Sequence, residues 1–189
     1  MIDALASLVD KSLVALDASG SGGVYRLLDT TRAYAREKLA RSGEQDRVSR
    51  RHAEHARTLL LAAREIGAPS DARSIDDVRV ALDWAFAPQG DEALGLKLTS
   101  AAIPLWFQLS LIDECFQRVQ RALEIAEIAG DREAQLSTLY GLWNCRFLSS
   151  EFRECVSLAQ RLSRSFLRGA VLSWAIGLTI YAFWTYLDV

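Results

Sequence analysis

From residue 44 to residue 166 apolar side chains recur every three or four positions, whereas before residue 29 they fall into two short runs on either side of a glycine cluster. The runs are Leu8-Val-Asp-Lys-Ser-Leu-Val-Ala-Leu16 and Val24-Tyr-Arg-Leu-Leu28, and between them lies Asp17-Ala-Ser-Gly-Ser-Gly-Gly23. Glycines between β-prone runs predict a hairpin whose tip takes positive φ. Helical periodicity takes over after Asp29: that residue or Thr30 is placed to cap the helix, Leu28, Ala35 and Leu39 share a face, and Gly43 is the expected stop. Val48, His52, Leu59, Ala63 and Ile66 then repeat at helical spacing until Gly67 and Pro69, and Ile75, Val78, Leu82 and Ala85 until Pro88 and Gly90. Further helices are predicted over 91–109, 112–129, 131–148 and 151–166. Pro104, inside the first of these, predicts a kink rather than a strand.

An offset of 40 residues aligns the last four helices in pairs. Asp91 matches Asp131, Leu96 matches Leu136, Phe107 matches Phe147 and Ser110 matches Ser150; Glu114, Cys115, Gln120 and Arg121 match Glu154, Cys155, Gln160 and Arg161. The stretch Ser150-Glu-Phe152-Arg-Glu-Cys155, with Ala159 and Leu162 after it, resembles the Gly-x-Tyr-x-x-Ala turn and second helix of a tetratricopeptide repeat. Cys115 and Cys155 stand in the small-residue slot, where a small apolar side chain lets the two helices of a hairpin approach closely. The period exceeds the 34 residues usual for that repeat.

Over roughly residues 1–165, most strongly over 5–60 and more weakly beyond, the hairpin with Val24-Tyr-Arg-Leu-Leu-Asp-Thr-Thr-Arg-Ala-Tyr-Ala-Arg-Glu-Lys-Leu39, Arg51-His-Ala-Glu-His55 and the later Leu82-Asp-Trp-Ala-Phe86 resemble STAND-class (NB-ARC-like) bacterial transcriptional regulator ATPases. The resembled segment runs from the end of the winged helix into tetratricopeptide-like helical repeats. The resemblance implies a mainly α fold: a partial winged helix (helix, β-hairpin, helix) over 1–43, a linking helical region over 44–90, and an α-α superhelix of helical hairpins over 91–189, the last incomplete. It also implies that the ATPase core and the first winged-helix helices lie upstream of Met1, so that the chain reads as a fragment or a remnant.

With 189 residues, half of them apolar, the chain can bury a substantial core, and a net charge of −2 gives no general reason to bind nucleic acid or an anionic membrane. The charge is uneven: residues 26–57 carry nine Arg or Lys against five acids, and residues 65–133 carry six against thirteen. Three cysteines, an odd number without CxxC spacing, and the lack of a signal-like start point to a reducing, cytoplasmic setting. Residues 169–187 are 19 uncharged residues preceded by Arg161, Arg164 and Arg168. They admit two readings, a C-terminal membrane anchor or the first helix of a third repeat, and the packed reading is preferred.

The search for chemistry is largely negative. No Gly-x-x-x-x-Gly-Lys-Ser/Thr occurs, and Gly20-Ser-Gly-Gly23 runs into a strand rather than a helix N-terminus. His52 and His55 share a helix face but lack the further ligands zinc requires, and nothing suggests a nucleophile. The expectation is therefore no catalytic, metal or cofactor site. The reading is a non-enzymatic interaction and sensor segment that binds a protein or peptide in its helical groove. Arg26, Arg32, Arg36, Lys38 and Arg41 are the candidates for nucleic-acid or interdomain contact, although direct DNA binding is disfavoured. Cys115, Cys155, Phe152, Ala159 and Leu162 are the expected repeat-packing residues. A membrane-anchored adaptor and a minimal winged-helix DNA-binding regulator are the alternatives.

Overall fold

The computed structural model describes residues 2–17 and 24–166, and the chain divides into two compact units, Met1–Val48 and Ser49–Val189. Two sequence expectations, the glycine tip of the hairpin and the role of 169–187, lie outside the described residues.

In the first unit α1 (Ile2–Asp10) leads into β1 (Val14–Asp17), which pairs antiparallel with β2 (Val24–Leu27) in the register Val14 to Leu27 and Ala15 to Arg26. The apolar run 8–16 is therefore not one strand. Leu8, Val9 and Asp10 end α1, because Ser12 turns left-handed (φ 56°) and its amide and that of Leu13 donate back to the carbonyls of Val9 and Leu8. The second helix, α2, spans Asp29–Ser42 and stops at Gly43, whose φ of 71° suits a residue without Cβ. Neither Asp29 nor Thr30 caps it. The cap position belongs to Leu28, whose side chain cannot accept a hydrogen bond, while Asp29 sits in the first turn and pairs with Arg32 at 3.5 Å. Nor does the expected face of Leu28, Ala35 and Leu39 disappear from solvent, since α2 buries no residue and Leu28 is 45% exposed. Val14 is this unit's one buried hydrophobic among those described.

The second unit is a run of helices, beginning in α3 (Gln45–Glu65) and followed by α4 (Ser74–Ala85), α5 (Glu92–Gln108), α6 (Ile112–Ala129), α7 (Arg132–Leu148) and α8 (Phe152–Phe166). From α4 onward each helix packs on the next, and α5 also packs on α7. Helix α5 continues through Pro104. The 40-residue repeat is visible in the backbone chemistry. Asp91 accepts from the Leu94 amide and Asp131 from the Ala134 amide, both at 3.0 Å, so both first helices start on the same N-cap. Both end on a left-handed serine, Ser110 (φ 57°) and Ser150 (φ 60°). The amides that follow close the same turn, Leu111 onto Trp106 and Glu151 onto Arg146, each at 2.9 Å.

One contiguous core joins these helices, with Ala53, Ala56 and Leu60 of α3, Val78 and Leu82 of α4, Leu98, Leu105 and Trp106 of α5, and Val119 of α6 all buried. Each large apolar side chain so enclosed contributes roughly 1.5–3 kcal/mol, which makes this core the main source of stability. Small residues set the helix separations: a Cβ on Gly141 of α7 would lie 2.8 Å from Ile103 Cδ1 of α5. Polar links fix the register. Arg79 and Arg118 connect α4 to α6 by pairing with Glu114 and Asp83, Arg161 connects α8 to α6 through Glu127 at 2.6 Å, and Arg50 reaches Asp91 from α3.

Candidate functional site

The five basic residues singled out near the hairpin are separated by the local fold. Arg26 stands exposed on β2 opposite Ala15. Along α2, at about 100° per residue, Arg32 and Arg36 fall on one side and Lys38 and Arg41 on another. Their engagements differ as well: Arg32 donates to the Leu27 carbonyl and pairs with Asp29, Arg41 pairs with Glu37 at 2.6 Å, and Lys38 lies 5.3 Å from the centre of the Tyr34 ring. Among the described residues Arg26 and Arg36 have no such partner. The five therefore form no continuous basic face, and two of them are free to meet an outside anion.

The residues expected to pack the repeat lie on α6 and α8. Cys115 and Cys155 are buried, Leu162 is buried, Ala159 is half-buried, and Phe152 remains 39% exposed with its ring edge-on to Phe147 at 6.2 Å. Cys155 Sγ lies 3.9 Å from the Trp143 carbonyl. Cys115 has a neighbour that the 40-residue comparison does not reveal, the buried thiol of Cys145 on α7, and that contact together with burial pushes the Cys115 thiol up. Burial does the same to Cys155. Both are small apolar side chains at neutral pH, chemically quiet by the logic that only a thiolate is reactive. Of the two histidines considered as ligands, His52 faces Asp77 at 3.4 Å and His55 is exposed.

Among the described residues of the second unit two clefts stand out. The larger, about 450 Å³, lies among α6, α7 and α8 over Phe116, Leu123, Leu142 and Leu158. Its cations are neutralised within it: Arg146 stacks on Phe116 at 3.9 Å and pairs with Glu151 and Glu154, and Arg161 pairs with Glu127. The smaller, about 220 Å³, is framed by α3, α5 and α7. It is lined by the apolar Leu61, Leu96 and Ala134, by the cations Arg57, Arg64 and Lys97, and by the acids Asp131 and Glu133. Across it Ser100 and Ser137 share a hydrogen bond of 2.6 Å. Sequence reasoning assigned none of these residues to a site, although one signal was present: Arg50, Arg57 and Arg64 recur every seven positions, which places them on one face of α3.

Two carboxyls are perturbed by structural pairs. Arg79 beside it, more than any other group, holds the Glu114 carboxyl below its usual range. The Leu94 amide, then Arg50, does the same for Asp91. No group of three or more His, Cys, Asp or Glu among the described residues is arranged to hold a metal ion, and no described helix is long and apolar enough to cross a membrane.

Residues 1–40 match the winged helix-turn-helix domain family. The chain is also 41% identical over 115 residues to proteins of Mycobacterium bovis and Mycobacterium tuberculosis provisionally named HTH-type transcriptional regulators. The match takes in 57% of this chain and 13% of each relative, so the chain spans about an eighth of their length. No solved structure matches it.

Proposed function

We propose that this chain is a non-enzymatic interaction and sensor segment of a bacterial transcriptional regulator of the STAND type. In this reading its tetratricopeptide-like hairpins bind a protein or peptide, and binding biases the winged-helix element. The observation that carries the reading is the repeated hairpin of α5–α6 and α7–α8, with its duplicated caps and turns. Such arrays present solvent-open clefts built from rigid helices, a form suited to holding an extended ligand. The match of residues 1–40 to a winged helix-turn-helix supports a regulatory context, as do the names of the mycobacterial relatives. The ATPase part of the resemblance rests on the sequence alone. An in-frame phosphate-loop motif in the coding sequence upstream supports it, and a stop codon directly upstream removes it.

A second reading is direct DNA binding by the winged-helix element, favoured by the unpartnered, exposed Arg26 and Arg36. Titrating the chain with duplex DNA at graded salt separates the two. The sensor reading expects no saturable duplex binding near physiological salt, about 150 mM, and expects peptides selected from a displayed library to protect residues 49–166 from hydrogen exchange. Saturable duplex binding that weakens steeply with salt and is abolished by Arg26→Gln with Arg36→Gln reverses the conclusion in favour of a DNA-binding regulator.

A further inference from the structure

The two clefts differ in one respect that decides what each can take. In the larger, Arg146 and Arg161 have intramolecular acids within pairing distance, so an incoming anion would have to displace a carboxylate already in place. In the cleft framed by α3, α5 and α7, Arg57, Arg64 and Lys97 have no acid partner among the described residues. Three like charges gathered at one opening repel one another, and a bound anion relieves that repulsion as well as gaining its own attraction. The two acids that also line the cleft form no ion pair with them among the described residues. Asp131 already accepts from the Ala134 amide as the N-cap of α7, and Glu133 projects from the first turn of that helix. Ser100 and Ser137, which bond only to each other and to helix carbonyls, add hydroxyl donors that can turn to a carboxylate oxygen.

Size narrows the occupant. At about 220 Å³ the cleft is smaller than the range of roughly 300–1,000 Å³ that encloses a drug-sized molecule, yet it is large enough for one or two side chains. We infer that the α3–α5–α7 cleft docks an acidic stretch of a partner protein, whose carboxylates meet Arg57, Arg64 and Lys97 while its stem lies over Leu61 and Leu96. This deepens the peptide-binding reading above and rests on it: it names the cleft and the sign of the partner's charge.

The test uses the full chain and three fluorescein-labelled octapeptides: octaglutamate, octalysine and an alternating Gly-Ser sequence. Octaglutamate should saturate the chain and bind at least about tenfold more tightly than the other two. The triple variant Arg57→Gln, Arg64→Gln, Lys97→Gln should lose about tenfold or more in affinity, whereas Arg36→Gln, Arg51→Gln, Arg153→Gln, which removes as many exposed cations that do not line the cleft, should stay within about twofold. Equal loss in both variants means general charge attraction and overturns the inference. Backbone amide shifts in the wild-type chain supply a readout independent of whether the variants fold. Lys97, Ser100 and Ser137 should move on titration with octaglutamate, and Ser157 and Leu158 of the other cleft should not; the reverse pattern overturns the assignment. Binding of octalysine or the neutral peptide in place of octaglutamate overturns the acidic partner and leaves the peptide-binding reading standing. Binding of none of the three overturns both.

Discussion

Ser110 and Ser150 occupy a backbone region that costs an L residue about 1–2 kcal/mol, and neither side chain makes a hydrogen bond in return among the described residues. Glycine removes that strain but loses about 0.5–1 kcal/mol of chain entropy. Ser110→Gly and Ser150→Gly should therefore each stabilise the chain by roughly 0.5–1 kcal/mol, read as a higher urea midpoint with an unchanged slope. Glu114 offers a pH-dependent counterpart. Its carboxyl titrates below the ordinary 4.5 when folded because Arg79 holds it charged, so the unfolded chain binds more protons in that window. The stability it contributes is complete above pH 4.5 and is lost as the pH falls through the depressed folded value. Glu114→Gln should lower stability at pH 7 by about 1 kcal/mol and flatten the decline below pH 4.5, measured by thermal melts across an acid series. The repeat of serine at 110 and 150 was legible in the sequence, but its left-handed conformation was not, because any residue type at a helix end can extend, turn or continue until its neighbours are placed.

At the scale of elements, the last four helices lie within one or two residues of where their 3/4 spacing puts them. That accuracy has a physical source. Each amphipathic stripe is bounded by a local stop signal, Gly90 with Asp91, Gly130 with Asp131, or a serine turn, and such signals act through neighbouring amides alone. The first apolar run was misread for the converse reason: Leu8–Leu16 is apolar enough for a strand, but its first part had already been taken up by a helix whose stop, Ser12, carries no distinctive signal. Cys155 tests the contact between α7 and α8. It is 4% exposed with its sulfur near the Trp143 carbonyl, so Cys155→Ala should cost about 1 kcal/mol, while Cys155→Arg should cost several by forcing an unpaired charge between two helices. Melting temperatures within a degree of each other for wild type and Cys155→Arg would show that the helices do not close on this residue.

For the molecule as a whole, the chain contains no phosphate-loop sequence, and purified protein should neither bind nor hydrolyse Mg-ATP at micromolar concentration. Stoichiometric heat on calorimetric titration with Mg-ATP would contradict this. The sequence by itself determined what local interactions can specify: the helices and their ends, the hairpin between two apolar runs, and the 40-residue periodicity that makes one pair of helices a copy of the other. It did not determine which polar groups would be left over. Arg146 and Arg57 are the same residue type on helices of similar pattern, yet packing brings Arg146 against Phe116, Glu151 and Glu154 and leaves Arg57 beside two other cations at an open cleft. Likewise Cys115 was matched by sequence to Cys155, its counterpart 40 residues on, while its physical neighbour is Cys145 on the adjoining helix. Pairing across helices depends on rotation and separation of whole elements, set by the summed burial of many side chains such as Trp106 and Gly141, and no spacing along one helix encodes it.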